Sequence, residues 1–228
     1  MSIISIINNI KGGLIVSCQA LEDEPLHGSK IMAAMAQAAK EGGAIGIRAN
    51  SPEDIKAIRK QVDLPIIGLY KKKNYDSDIY ITPTLKEVEQ IIEAGADIIA
   101  IDSTNRIRPN NKTLKEFIKE IKENFNVIIM GDVSTFEEGL KAQEYGIDLV
   151  GTTLSGYTKY SSSDDGPDFK LLKKLVNNLN IPVILEGKVR KPSEVKKALK
   201  IGAWAVVVGT SITRPQIITK RFSQVIDN

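Results

Sequence analysis

At 228 residues and 25.0 kDa the chain has room for one large domain or two small ones. Its 42% hydrophobic and 26% charged residues match globular averages and exclude disorder or a fibrous repeat, and 5% aromatics is too few for a platform that stacks single-stranded nucleic acid. The net charge of +3 is scattered along the chain, too weak for DNA and only faintly suited to an anionic small molecule. The lone Cys18 excludes an internal disulfide, and one histidine, His27, leaves no Cys/His set at zinc spacing, so no metal is expected. No apolar run approaches the roughly 20 residues of a membrane span, and Met1 to Ile10 lacks the basic start and apolar centre of a signal peptide. A reducing, cytoplasmic setting is expected, with no membrane and no nucleic-acid partner.

In chain order, Ile3 to Ile10 reads as a short helix or turn that plugs one end of the fold. Eight short apolar runs follow: Leu14-Ile-Val-Ser17, Ala44-Ile-Gly-Ile47, Pro65-Ile-Ile-Gly68, Ile98-Ile-Ala-Ile101, Val127-Ile-Ile-Met130, Leu149-Val-Gly-Thr152, Pro182-Val-Ile-Leu185 and Ala205-Val-Val-Val208. None alternates with polar residues, the mark of strands covered on both faces in a parallel sheet. Helical period fills the intervals, as in Leu85, Val88, Ile91 and Ile92, or Leu171, Leu172 and Leu175. Thr84-x-x-Glu87 and Ser134-x-x-Glu137 read as capping boxes, and Ser51-Pro52 and Lys191-Pro192 place proline in a first helical turn. Glycine closes the helices before alternate strands, at Gly42-Gly43, Gly95, Gly146 and Gly202, whereas the third and seventh strands enter through Leu64-Pro65 and Ile181-Pro182.

The strands recur about every 27 residues, the length of a βα unit with short loops. Eight such units predict an α/β fold of the (β/α)8 TIM-barrel, phosphate-binding type, one domain spanning 1–228 with residues 1–10 as plug. The alternative is an open doubly wound sheet, against which no G-x-G-x-x-G follows the first strand.

Chemistry in such a barrel collects where strands end. The polar residues there are Gln19, Arg48, Lys71, Asp102, Asp132, Thr152 with Thr153, Glu186, and Gly209 with Thr210. Glu186-Gly187-Lys188 and Gly209-Thr210-Ser211, the latter leading to Arg214-Pro215, suit a phosphate, since glycine admits an oxyanion and helix amino termini favour negative charge. The alternative for Gly209 is a simple turn. Lys71 and Glu186 are the acid/base candidates, projecting from opposite strands; burial beside Arg48 would lower the lysine's pKa from its usual ~10. Lys71-Lys-Lys73 could instead be a solvated basic loop. The long segment after the sixth strand, with Gly156-Tyr157-Thr158 and Ser161-Ser-Ser163, could act as a lid. Cys18 should pack in the core or line the pocket without reacting, and Trp204 should pack in the barrel.

Joint motifs now carry a resemblance: Gly13-Leu-Ile-Val-Ser-Cys-Gln-Ala20, Gly46-Ile-Arg-Ala-Asn50, Pro65-Ile-Ile-Gly68 with Lys71, Tyr80-Ile-Thr-Pro-Thr84, Gly151-Thr-Thr-Leu-Ser-Gly-Tyr-Thr158, Ile184-Leu-Glu-Gly-Lys188 and Ile212-Thr-Arg-Pro215. From about residue 11 onward the chain resembles the N-acetylmannosamine-6-phosphate 2-epimerases. The resemblance implies interconversion of N-acetylmannosamine 6-phosphate and N-acetylglucosamine 6-phosphate in sialic acid breakdown, with no cofactor and with a homodimer as the assembly, built through the final helix from Pro215 to Asp227. Position by position, it implies that Lys71 is the catalytic lysine and Glu186 its partner carboxylate. Gln19, Arg48 and Asp132 would surround the sugar and its acetamido group, Arg214 would bind phosphate, and Tyr157, Gly187, Lys188, Gly209 and Thr210 would complete the substrate site. Tyr70-Lys-Lys-Lys-Asn-Tyr75 is one residue longer than the family's usual run. Lys71 keeps the spacing from Gly68 and takes the catalytic role, which passes to Lys72 if the extra residue precedes the lysine. Gly131 also stands where the family commonly has alanine. Two alternatives remain: another sugar-phosphate isomerase on the same barrel, or a non-catalytic sugar-phosphate sensor.

Overall fold

The computed structural model describes residues 3–73, 76–161 and 164–226. The chain begins with helix α1 (Ile3–Asn9), and eight strands alternate with helices from there: β1 (Leu14–Cys18), α2 (Ser29–Glu41), β2 (Gly46–Asn50), α3 (Pro52–Gln61), β3 (Ile66–Leu69), α4 (Leu85–Glu93), β4 (Ile98–Asp102) and α5 (Leu114–Asn124). The second half continues with β5 (Ile128–Asp132), α6 (Phe136–Glu144), β6 (Leu149–Gly151), α7 (Phe169–Asn178), β7 (Val183–Glu186), α8 (Pro192–Ile201), β8 (Ala205–Val208), the short α9 (Thr210–Thr213) and α10 (Pro215–Ser223). All neighbouring strands pair in parallel in sequence order, and β8 returns to β1 with Val207 opposite Ile15, closing a (β/α)8 barrel.

Strand parity divides the apolar residues into two layers, because successive side chains point to opposite faces. Val16, Cys18, Ile47, Ala49, Ile99, Ile101, Ile129, Val150, Leu185, Val206 and Val208 face outward onto the helices. Ile15, Ile67, Ile98, Ile128, Met130, Leu149, Ile184, Ala205 and Val207 fill the barrel. Cys18 therefore packs in the outer core, where burial, reinforced by Asp54, pushes its thiol up to about 12 and leaves it unreactive. At the amino-terminal end, Ile10 is fully buried, Ile6 and Ile7 pack on the inner layer, and Trp204 Nε1 donates to the Ile7 carbonyl at 2.9 Å.

The helix signals hold at Thr84 with Glu87, at Pro52 and at Pro192. The box expected at Ser134 and Glu137 is corrected by one residue. Thr135 caps α6 with Glu138, and Ser134 instead donates its amide and hydroxyl to Glu138 Oε2, leaving Glu137 unused. The second strand begins at Gly46, two residues beyond the expected Ala44, because Gly42 and Gly43 take longer to turn out of α2. The final helix ends at Ser223, short of the expected Asp227, which lies outside the described residues. Gly131 has a packing reason: a Cβ there would meet Ile147 Cδ1 and Ser103 Oγ, both at 2.8 Å.

Candidate active site

Arg48 points into the barrel because its neighbours Ile47 and Ala49 face the helices. Its side chain is 1% exposed, and a charge so placed must be paired. Its Nη1 and Nη2 fork onto Asp132 at 3.1 and 2.5 Å, and Nη1 reaches Glu186 Oε2 at 2.9 Å. Burial opposes the guanidinium's charge, but Asp132 and Glu186 more than offset this and hold its pKa above the usual value. Thr153 completes the cluster with its hydroxyl 2.7 Å from Asp132 Oδ1 and 3.1 Å from Glu186 Oε2. Thr152 locks the end of β7, donating to the Glu186 carbonyl at 2.8 Å and accepting from the Glu186 amide at 3.1 Å. For Glu186, burial raises the carboxyl to about 7 despite Arg48, with Asp132 adding to the rise.

Lys71 lies two residues past the end of β3 and is pinned by its backbone. Its amide donates to Asn50 Oδ1 at 2.8 Å, and it bridges to Ile81 on the Tyr80–Thr82 segment. That segment, one of the recognised motifs, is itself anchored: Thr82 donates to the Ala100 carbonyl at 2.7 Å and accepts from the Tyr70 amide at 3.1 Å. Burial, then the charge of Arg48, brings the Lys71 ammonium down to about 8, against the pull of Glu186. Lys72 is exposed, with its Nζ 4.4 Å above the Tyr70 ring, and Lys73 is exposed too. Lys71 is the half-buried one of the three lysines and feels the charges of Arg48, Glu186, Arg214 and Asp132, whereas Lys72 lines the same cavity from an exposed position. Tyr75 lies outside the described residues.

These groups line an open cavity of about 1830 Å³ at the carboxyl ends of the strands. Gln19, Tyr157, Gly187, Lys188, Gly209, Thr210 and Arg214 line it as well, whereas Asp132 sits behind the wall under Arg48. Gln19 donates to Ser17 Oγ at 2.9 Å, and its Oε1 is buried with no partner among the described residues. Gly187 has φ 109°, a left-handed backbone open to glycine, and Lys188 follows at φ 57° with Nζ donating to the Asp164 carbonyl at 2.7 Å. Arg214 is already held at 2.8 Å by Glu24, which also accepts from Gln216 at 3.1 Å. The loop after β6 contributes Tyr157, exposed beside Lys188, while Ser162 and Ser163 fall outside the described residues. Among the described residues no group of His, Cys, Asp and Glu is placed to hold a metal.

Some features went unread in the sequence. Asp102 belongs to the ring of strand ends but is taken up by Arg106 and Thr104, with Arg108 bonded to its carbonyl, so it ties down the loop before α5 rather than lining the cavity. Asn50 holds the Lys71 amide, and Glu24, which also accepts from the Leu21 amide, holds Arg214 and Gln216; these long-range contacts are not visible along the chain. Thr153 is visible as a strand-end hydroxyl, but its place between two carboxylates is not.

A family model described as "Putative N-acetylmannosamine-6-phosphate epimerase" matches residues 32–228. A Clostridioides difficile (strain 630) protein named as an N-acetylmannosamine-6-phosphate 2-epimerase of putative standing is 56% identical over 97% of this chain and 99% of its own. A relative of the same name from Caldanaerobacter subterraneus subsp. tengcongensis is 55% identical over 95% of this chain and 92% of its own. The solved structure of the Clostridium perfringens N-acetylmannosamine-6-phosphate 2-epimerase superposes with a TM-score of 0.94 at 50% identity, covering 96% of each chain. With this barrel and this extent of identity, the chain belongs to the N-acetylmannosamine-6-phosphate epimerase family.

Proposed function

We propose that the protein interconverts N-acetylmannosamine 6-phosphate and N-acetylglucosamine 6-phosphate, inverting carbon 2 of the open-chain sugar, as a step in amino-sugar and sialic acid catabolism. The observation that carries the reading is a lysine and a carboxyl facing one cavity from β3 and β7, on opposite sides of the ring, with pKa values moved toward each other, to about 8 and about 7.

Carbon 2 is acidic because it lies beside the aldehyde carbonyl, and inversion requires a proton to leave one face and arrive on the other. Neutral Lys71 with protonated Glu186 runs one direction, and charged Lys71 with ionised Glu186 runs the reverse. Both forms carry one proton between the two groups, so one protonation state serves both directions. Arg48 keeps positive charge beside the reacting groups, where an enolate oxygen would gain from it. Gln19 and Asp132, the latter through Arg48, shape the sugar's surroundings. Gly187, Lys188, Gly209, Thr210 and Arg214 form the phosphate end, where backbone amides at a helix start and a planar guanidinium suit oxyanion geometry. Tyr157 closes over the sugar. Binding energy gathered at the phosphate orients carbon 2 between the acid/base groups.

The chain works as one barrel domain over 1–228 with residues 1–10 as plug, in the cytoplasm, as a homodimer. The dimer reading is supported by α10, where Phe222 and, just beyond, Val225 and Ile226 are 73%, 73% and 81% exposed.

Proton NMR with N-acetylmannosamine 6-phosphate in deuterated water tests substrate, reaction and proton abstraction together. Product should appear with deuterium at carbon 2, at a rate that is bell-shaped in pH. The rate falls below about 7 as Glu186 takes a second proton into the pair, and above about 8 as Lys71 loses the last one. Product retaining its carbon 2 hydrogen would overturn the mechanism, and an unchanged sugar would overturn the function.

A further inference from the structure

Thr153 stands in an unusual position that the acid/base scheme does not use. Its oxygen contacts Asp132 Oδ1 and Glu186 Oε2, the same two atoms that Arg48 Nη1 contacts at 3.1 and 2.9 Å. Two carboxyls thus share one guanidinium NH2 group, which has a hydrogen for each, and one hydroxyl, which does not. A hydroxyl carries a single hydrogen and two lone pairs, so Thr153 can donate to only one of them. The distances, 2.7 Å to Asp132 and 3.1 Å to Glu186, commit that hydrogen to Asp132. Toward Glu186 the threonine then presents a lone pair, which repels an ionised carboxylate and accepts from a protonated one.

We infer that Thr153 is a positioning residue that holds Glu186 in its protonated form, through a chain in which Glu186 Oε2–H donates to Thr153 Oγ1 and Thr153 O–H donates to Asp132. No bond is made or broken in this arrangement. The proton stays on Glu186, and the chain ends on a carboxylate that Arg48 neutralises. The inference rests on the proposed role of Glu186 and adds what sets its proton affinity. The other groups facing Glu186 are Arg48 from β2, Asp132 from β5 and Lys71 beyond β3, while Arg214 bears on Lys71. Arg48 and Lys71 both favour ionised Glu186, as would a Thr153 hydrogen turned toward it, while burial and Asp132 oppose them; with the hydrogen on Asp132, the threonine lone pair joins the opposing side. Were the threonine hydrogen turned to Glu186 instead, it would hold the carboxyl down, so the sign of the change on removing the hydroxyl separates the two orientations.

The test is the titration of the Glu186 carboxyl by carbon-13 NMR in substrate-free enzyme labelled at glutamate, its signal identified by loss in Glu186→Gln. Parallel measurements follow kcat/KM against pH, whose acid limb reports the free enzyme. Thr153→Val keeps the branched shape and removes the hydroxyl. We expect the Glu186 midpoint to fall by about one pH unit, the acid limb to move down with it, and Thr153→Ser to restore both. A midpoint that stays or rises in Thr153→Val overturns the inference. Circular dichroism checks that the variant folds, and Thr153→Ala carries the same measurement if the valine does not. If the acid limb of kcat/KM survives in Glu186→Gln, the acid/base role of Glu186 fails, while the carboxyl titration still decides the role of Thr153.

Discussion

The two ends of this barrel are built from the same eight strands yet follow opposite rules. At the amino-terminal end, Ile10, Ile15, Ile98, Ile128, Leu149 and Ala205 are wholly buried and apolar, and α1 covers them with one hydrogen bond from Trp204 to the Ile7 carbonyl. At the carboxyl end, the inward-facing columns of β2, β5 and β7 finish in Arg48, Asp132 and Glu186, a guanidinium between two carboxyl groups that it pairs with. The floor gains from removing apolar area from water, about 1.5 to 3 kcal/mol for a fully buried large aliphatic side chain. The mouth carries desolvation costs that only its ion pairs and hydrogen bonds offset, and a buried ion pair is weak evidence for stability. One end therefore holds the fold and the other holds groups at unusual proton affinities.

Single substitutions can break this contrast or sharpen it. The largest effect is expected from Lys71→Ala, which should lower turnover by about 100 to 10,000-fold, read as carbon 2 exchange in deuterated water. Its melting temperature should stay level or rise, because burial disfavours the charged ammonium it removes. A loss of both activity and fold would mean that the mouth is structural as well. The mirror experiment is Ile10→Ala in the floor, where about 2 to 5 kcal/mol of stability should vanish in urea denaturation while kcat and KM of the folded protein stay put. A changed kcat would show that the two ends are coupled. Smallest is Arg214→Ala: in the proposed role Arg214 grips the phosphate, away from carbon 2, so KM should rise on the order of 10-fold with kcat moving little. A drop in kcat alone would move Arg214 from binding into the chemistry.

Much of this site could be read along the chain. Unbroken apolar runs mark buried parallel strands, glycines and prolines mark where helices stop and start, and the polar residue after each run marks the mouth. Gly209 with Arg214 and Glu186 with Lys188 could be read for the same reason, as local patterns at strand ends. What was misread was also local, a capping box displaced by one residue because Ser134 and Thr135 both precede Glu138 and either could cap. Asp102 misled in the other direction: it ends β4 as Asp132 ends β5, yet Arg106, four residues on, claims it.

The sequence by itself determined eight βα units, the order in which they close and the set of residues brought to one rim, because period and strand parity are local properties of a chain. Tertiary structure alone decided which of those residues meet. Arg48 and Asp132 are far apart in sequence and paired in space, Thr153 falls between two carboxyls, and Asn50 fixes the backbone of Lys71. The physical reason is that a proton affinity is set by burial and by charges a few ångströms away, and those distances exist only once the barrel has closed.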